Sequence, residues 1–514
     1  MEYQKPVLTK DELEIFRQKT KEFYAGNLPK AEYKGYSGRY GSYAQKGGKN
    51  SMIRLRMAGG RLTKEKLLYI AQCVETYHVQ RVHFTTCQTI QLHDLDADAV
   101  CDIMEGAMEH DMIPLGGGGD FPRNVMAPPL SGTEKGEYMD VLPYAKKAEE
   151  FLLSFLDAEK MPRKLKVCFS SGPSNVTHAT FRDLGFVARP DGTFDVYSAG
   201  GLGNQPKIGM KMAEGIEPSR ILYYIQAMRK VFLAHGNYEQ RAKARTRFMR
   251  DTLGEEGYKK AYLEMLAEAE KGEDLTIRVS EQQITKQGDG SRASGTRIRE
   301  QKQEGLYCVS YHPLGGCPDP AVFRKLYDAI APMEQAELRV APDETVYIIN
   351  LTGTEAQKVK EITSDSMETP FETSIACIGA STCQAGIRDS QALLGKAVKA
   401  VRDAKLPADA LPRIHISGCP SSCGTHQVGE IGFRGGVKMI DKKPFPAFEV
   451  YIFGCDRQGE ERLGESAGTM LEEKIPVFLV ELGRNVADSG LTYSQWKEKN
   501  QETLRTIVKK YTAV

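Results

Sequence analysis

Four cysteines carry the densest chemistry in the sequence. Cys377 and Cys383 form a C-x5-C pair, and Cys419 and Cys423 form a C-x3-C pair. Four thiolates are the usual complement of a 4Fe–4S cube, and soft sulfur favours iron–sulfur or zinc over hard cations. Gly379, Gly418 and Gly424 lie beside them, where a missing side chain lets backbone N–H groups approach the sulfides. Zinc sites usually use closer pairs, which Cys377 and Cys383 fit poorly. The C-x2-C-x2-C ferredoxin run is absent. Spacing alone leaves iron–sulfur, zinc and unbound thiols open. The remaining cysteines, Cys73, Cys87, Cys101, Cys168, Cys308, Cys317 and Cys455, are scattered and read as small buried hydrophobes.

Positive charge comes in short clusters: Arg54 and Arg56; Arg123 beside Asn124; Arg163, Lys164 and Lys166; and Arg241, Lys243, Arg245 and Arg247. Any one of them alone reads as solvated surface. In Lys164-Leu165-Lys166, strand alternation puts both ammonium groups on one face and Leu165 on the other. Lysines side by side repel each other unless an anion is expected.

The block Cys377-Ile378-Gly379-Ala380-Ser381-Thr382-Cys383, followed by Gly418-Cys419-Pro420-Ser421-Ser422-Cys423-Gly424, resembles the assimilatory sulfite and nitrite reductases. The likeness extends over nearly the whole chain and is nearer to the sulfite reductases. It implies that the four cysteines hold a 4Fe–4S cluster and that Cys423 also bridges to the iron of siroheme. Siroheme is ringed by carboxylates and its substrates are small oxyanions, so such a site needs many fixed positive donors. Met52-Ile53-Arg54-Leu55-Arg56 resembles the strand carrying the substrate-binding arginine, which falls on Arg54. Asp120-Phe121-Pro122-Arg123-Asn124 resembles the second arginine motif. Pro162 to Lys166 resembles the segment that sets two lysines, here Lys164 and Lys166, over the distal face of the heme. Thr85, Gln88, Gln91 and His93 resemble the stretch after the first helix, with Gln91 touching siroheme. Ser198 to Leu202, with Gly200 and Gly201, resembles the glycine-rich loop against the macrocycle. Arg56, Asn124, Arg163, Arg245, Arg247 and Ser421 complete the expected cofactor contacts. Two positions depart from the pattern: Cys87 stands where some relatives have an arginine to a heme carboxylate, and Ser421 where some have asparagine.

One segment recurs along the chain. Gly59-Gly60 is followed 29 residues later by Thr89, and Gly315-Gly316 likewise by Thr345, an offset of 256 at each point. Val82, Phe84, Ile90 and Leu92 correspond to Leu338, Val340, Val346 and Ile348. Each copy reads as strand, Gly-Gly turn, helix, strand, strand. Arg54 and Arg56 correspond to Ser310 and His312, so the first copy is expected to face an anion while the second completes the fold. Between them, strand-like Lys164–Phe169 and Phe186–Val187 precede the Ser198–Gly203 loop and a helical stretch from about Ile221. The polar stretch Glu281–Glu304 reads as a loop, and Ile414–Ile416 as a strand. The expected fold is α+β with three modules, one a pseudo-symmetric domain made by two half-domain repeats from distant segments. The expected divisions are an N-terminal extension (1–50), the first repeat (51–115), a siroheme-binding insert (116–304), the second repeat (305–364) and a cluster-binding C-terminal domain (365–514).

Composition bounds the rest. At 514 residues the chain is long enough for two to three domains. The net charge of +1 gives no global pull toward nucleic acid or membrane. The opening Met1-Glu2-Tyr3-Gln4-Lys5-Pro6 is polar and unlike a secretory leader. Apolar runs such as Ile475–Val480 are strand-sized, far short of the roughly 18 residues that span a bilayer. A cytoplasmic protein is the default.

Together these features predict siroheme-dependent, six-electron reduction of sulfite to sulfide. Electrons would pass from an external donor, a ferredoxin or a flavoprotein reductase, through the cluster, because no G-x-G-x-x-G follows a strand to suggest a nicotinamide site. Arg54, Arg123, Lys164 and Lys166 would clamp the oxyanion. Ammonia-forming nitrite reduction is the alternative within the family. A non-catalytic iron–sulfur electron-transfer or scaffold protein is the alternative outside it, and would leave the basic clusters without a purpose.

Overall fold

The computed structural model describes residues 3–280 and 283–513. Of the stretches named above, Met1, Glu2, Glu281 and Gln282 lie outside the described residues. The chain is α+β, with four sheets and three large apolar cores among the described residues.

The first core belongs to the repeats, and its two sheets repeat each other in register. Ser42 pairs with Ile53 and, 256 positions on, Ile298 pairs with Val309. Strands Ser42–Ala44 and Ile298–Glu300 therefore extend the copies beyond the expected starts at 51 and 305, and the second of them lies inside the stretch read as a loop. The helix of the first copy, Lys64–Thr76, begins where the Thr63 side chain accepts from Lys66 N. Gly60 and Gly316 both have φ of 69°, a left-handed geometry that favours glycine. The two turns pack across the pseudo-dyad. A Cβ on Gly60 would lie 2.3 Å from the Val340 carbonyl oxygen, and one on Gly316 3.0 Å from that of Phe84.

The insert and the C-terminal domain are also twins, at a second offset that the sequence reading missed. Val167 pairs in parallel with Leu184 and, 247 positions on, Ile414 pairs in parallel with Ile431. A Cβ on Gly185 would strike the Ala179 carbonyl oxygen, and one on Gly432 would strike that of His426, again 247 positions apart. The helix of the C-terminal twin, Ser390–Asp403, is capped by Asp389, which accepts from Ala392 N. Strand Val167–Ser170 is shorter than expected, because Leu165 bridges to Pro122 instead. The apolar run from Ile475 opens the helix Ile475–Asp488. Among the described residues no helix is long and apolar enough to cross a membrane.

Gln88 and Glu344 occupy equivalent left-handed turns, with φ of 55° and 68°. Each clasps a neighbouring module: Ala127 N donates to Gln88 Oε1 at 3.0 Å, and Ala376 N donates to Glu344 Oε2 at 3.1 Å. The repeats thus form a frame to which the insert and the C-terminal domain are fastened in the same way.

Candidate active site

Where these modules meet there is a cavity of about 360 Å³. Cys377, Cys383, Cys419 and Cys423 all line it. Strands Ile375–Ala376 and Ile414–Ser417 are adjacent and parallel, so Cys377 and Cys419 leave the same edge of the sheet. Gly418 N donates to Cys377 Sγ at 3.2 Å. A Cβ on Gly418 would lie 2.5 Å from the Arg388 carbonyl oxygen. Burial pushes the Cys377 thiol up to about 12 and raises that of Cys423; a bound metal inverts that preference. Four thiols bordering one cavity fit a cluster.

The same cavity is also lined by cations. Arg54 leaves strand Ser51–Arg56, and Arg123 follows a tight glycine run, Gly116–Gly119. Both guanidinium groups donate to the Gly117 carbonyl, and Arg123 Nη2 reaches that of Gly119 at 2.7 Å. With its amide oxygen turned toward Arg54, Gln91 accepts from Nη2 at 2.6 Å and from Nε at 3.2 Å. Arg123 N donates to the Leu165 carbonyl at 2.8 Å, which sets Arg123 beside Lys164 and Lys166. Leu165 is fully buried on the other face, while both lysines line the cavity. Lys164 has no hydrogen-bond or ion-pair partner among the described residues. Its pKa falls well below the ordinary value through burial and the nearby Arg245, Lys166 and Arg123. Burial, with Arg54 and Arg56 nearby, brings Arg123 to about 10 against the opposite pull of Tyr43 and Cys87.

The lining contains one carboxylate, Glu344, whose pKa burial raises. Arg54, Arg123, Lys164 and Lys166 therefore face the cavity with no carboxylate partner of their own. A cavity of this sign, with one unpartnered ammonium group, fits a polycarboxylate cofactor and an oxyanion.

Thr85, His93, Asn124, Gly201, Arg245 and Ser421 also line the cavity. Asn124 Nδ2 donates to the Cys87 carbonyl at 3.0 Å, and Arg245 is paired with Asp183 at 2.8 Å. Burial pushes His93 well below its usual value, so it stays neutral.

Five of the expected cofactor residues are turned away from the cavity or already paired in this structure. Gln88 points away from the cavity, and its Nε2 donates to the carbonyls of Ala127 and Val340, both at 2.8 Å. Arg56 touches the cavity, but its charge is spent on buried Glu149, Nη2 to Oε1 at 2.7 Å. Arg163 pairs outside the cavity with Asp120 at 2.7 Å. Gly200 lies behind the wall, where a Cβ would meet the Arg182 carbonyl oxygen at 2.8 Å. Arg247 backs Gly201 from outside, and its Nε donates to the Gln205 carbonyl at 2.9 Å.

Tyr43, His83, Arg182 and Glu344 line the cavity without having been singled out. Tyr43 Oη accepts from Gly119 N at 2.6 Å. Burial works against ionisation of this phenol, yet Arg123, the Gly119 amide and Arg54 bring it below its ordinary value. The glycine run was the visible signal for this corner.

A second cavity, of about 410 Å³, lies at the twin position. There Gly172 and Val176 stand 247 positions before Cys419 and Cys423. The twin wall thus lacks both thiols, and the chemistry gathers in the first cavity.

Comparison with known proteins agrees with this arrangement. The family description "Nitrite/Sulfite reductase ferredoxin-like half domain" matches residues 43–110. "Nitrite and sulphite reductase 4Fe-4S domain" matches residues 118–270, the insert rather than its cysteine-bearing twin. The chloroplastic ferredoxin–nitrite reductase of Arabidopsis thaliana is 26% identical over 83% of this chain and 74% of its own length. The assimilatory ferredoxin-dependent nitrite reductase of Haloferax mediterranei is 24% identical, covering 95% of this chain and 89% of its own. Sulfite reductase [ferredoxin] 1 of Mycolicibacterium paratuberculosis is 23% identical, covering 88% and 83%. The solved structure of the Mycobacterium tuberculosis NirA protein superposes with a TM-score of 0.76 at 20% identity, over 96% of both chains, a likeness of fold.

Proposed function

Since the chain belongs to the nitrite and sulfite reductase family, we propose that it reduces sulfite to sulfide, drawing electrons from an external ferredoxin-type donor. The observation that carries the reading is the carboxylate-poor group of Arg54, Arg123, Lys164 and Lys166, lining one cavity together with four cysteines.

The family's cofactors are siroheme and a 4Fe–4S cluster, and the residues present fit both. Cys377, Cys383, Cys419 and Cys423 would hold the cluster, with Cys423 shared with the siroheme iron. Arg245, Asn124, Thr85 and the backbone at Gly201 would bind the macrocycle. When bound, these groups supply the electron transfer and the electron-rich iron on which a sulfur or nitrogen oxyanion is reduced.

The chain's own residues do the rest. Arg54 and Arg123, held by one carbonyl, present their remaining donors to the oxyanion in fixed directions. Their orientation is set before substrate arrives, so it costs little reorganisation as charge grows on the oxygens. Lys164, whose proton is loosened by burial and by neighbouring cations, is placed to donate it as a bond to oxygen breaks.

Sulfite near neutral pH is largely a dianion with three oxygens, whereas nitrite is a monoanion with two. Lys166 added to Lys164 therefore favours sulfite. Nitrite reduction is the second reading, favoured by the names of several relatives. Steady-state turnover of both anions with a chemical reductant, alongside iron and siroheme content, tests the choice. A kcat/KM for sulfite at or above that for nitrite is expected. A tenfold excess for nitrite would overturn the sulfite reading.

A further inference from the structure

Cys87 stands in the wall of the cavity, yet the substrate clamp described above gives it no task. Its Sγ is 3.1 Å from Lys166 Nζ. Its backbone is pinned on both sides: Asn124 Nδ2 donates to the Cys87 carbonyl, and the neighbouring Thr86 Oγ1 donates to that of Cys423 at 2.7 Å. The thiol is thus presented to the ammonium group by a fixed loop.

The internal twin repeats this contact in stronger form. The 256-residue offset takes Cys87 to Asp343, and the 247-residue offset takes Lys166 to Arg413. Arg413 Nη1 donates to Asp343 Oδ2 at 2.7 Å. One half of the chain therefore builds a guanidinium–carboxylate ion pair where the other sets an ammonium beside a thiol. The two offsets come from different modules, so the coincidence marks a place where the fold seats a cation against an anion.

The groups facing Cys87 agree. Lys166, Arg182 and Arg54 act on it, as does Arg123, and the buried thiol of Cys168 lies behind. Asp183, under the same strand, is occupied by Arg245, Thr246 and the Lys166 amide. Burial resists ionisation, but these cations bring the Cys87 thiol down to about 6, within the range of activated cysteines.

We propose that Cys87 is the anionic partner that positions Lys166, and that this pair sets the affinity of the clamp for its oxyanion. The proposal rests on the reading of the clamp given above. In this proposal the freedom that a fixed ammonium does not lose when the anion arrives outweighs the repulsion between the thiolate and that anion.

The test is an affinity measurement that needs no turnover. Sulfite and nitrite are titrated into the oxidised holoenzyme, and the visible spectrum is read for wild type, Cys87→Ser, Cys87→Asp, Lys166→Met and the double variant Cys87→Ser/Lys166→Met. Cys87→Ser should weaken binding roughly five- to thirtyfold at pH 7.5, the range of a charge-assisted contact. Cys87→Asp should restore it to within about threefold, and in the Lys166→Met background Cys87→Ser should add nothing. The wild-type advantage over Cys87→Ser should fade below pH 6. An equal loss with and without Lys166, or an aspartate that behaves like serine, overturns the proposal. If Cys87→Ser does not fold, Lys166→Met keeps it open to refutation. Carboxymethylation of Cys87 by iodoacetate, read by mass spectrometry, should move to higher pH in Lys166→Met than in wild type, and an unmoved profile overturns it. Coupling seen with nitrite alone removes the sulfite reading and leaves this one. No coupling with either anion removes this one alone.

Discussion

Arg54 and Arg123 donate to a single acceptor, the carbonyl of Gly117. They come from different modules, and that shared oxygen sets the angle between them. The glycine run makes the approach possible: a Cβ on Gly117 would lie 2.8 Å from the Pro114 carbonyl oxygen.

Removal of either arginine should therefore cost more than one contact. Arg54→Ala and Arg123→Ala are each expected to lower kcat/KM roughly 10²- to 10³-fold, the scale of a lost oxyanion donor. The double variant should fall short of the product of the two, because the pair shares an anchor. Steady-state assays of the three variants check this.

Lys166→Asn should shift selectivity. A neutral amide relieves the bias toward the dianion, so sulfite turnover falls and the nitrite-to-sulfite ratio of kcat/KM rises. Each tenfold change needs about 1.4 kcal/mol, within reach of one charge in a desolvated pocket. An unchanged ratio would show that the second lysine does not select.

Cys423→Ser is expected to lose or disturb both cofactors, because one thiolate would serve both. Iron and siroheme analysis of the purified variant decides it. Full content of both would refute the bridging role.

The buried Arg56–Glu149 pair holds the first repeat to the insert. Glu149→Gln would leave a guanidinium group buried beside a neutral amide, and should cost about 3–5 kcal/mol. Chemical denaturation of wild type and variant measures the loss.

His312 is buried, with Nδ1 2.9 Å from Thr345 Oγ1, and burial brings it to about 4. In the unfolded chain it titrates near 6.5. Between those values the unfolded state binds more protons, so the native state loses stability as pH falls from about 6.5 to 4. His312→Gln should flatten that part of the stability–pH curve, which denaturation midpoints at pH 7 and pH 5 would show.

Legibility in the sequence followed locality. Lys164 and Lys166 could be placed because alternation within three residues decides which way they face. The quartet was visible because its pairs are short, and the 256-residue repeat because its Gly-Gly turns require left-handed backbone. Gln88 and Gln91 share residue type and stand three positions apart, yet Gln88 lies in the turn before the strand Thr89–Leu95, where φ of 55° turns its amide into the frame. Arg56 sits two residues from Arg54 on the same strand, and only tertiary packing brings Glu149 to neutralise it. The 247-residue repeat was hidden because its twins share little beyond Pro173-Ser174 against Pro420-Ser421, together with a glycine forced by backbone contact. Tyr43, Arg182 and Glu344 are solitary residues that only the assembled cavity brings together.

The reciprocal contacts of Gly60 with Val340 and of Gly316 with Phe84 bear on what the chain is as an object. Each turn packs against the opposite copy, more than 230 positions away along the polypeptide. Among its described residues, the stretch joining the halves contributes one short edge strand and otherwise runs as loop. The molecule behaves as a dimer whose subunits happen to be spliced end to end. One of those halves has Gly172 and Val176 where the other has Cys419 and Cys423, and still serves as scaffold for its partner. A single proteolytic cut in the splice would leave two unequal pieces that remain assembled.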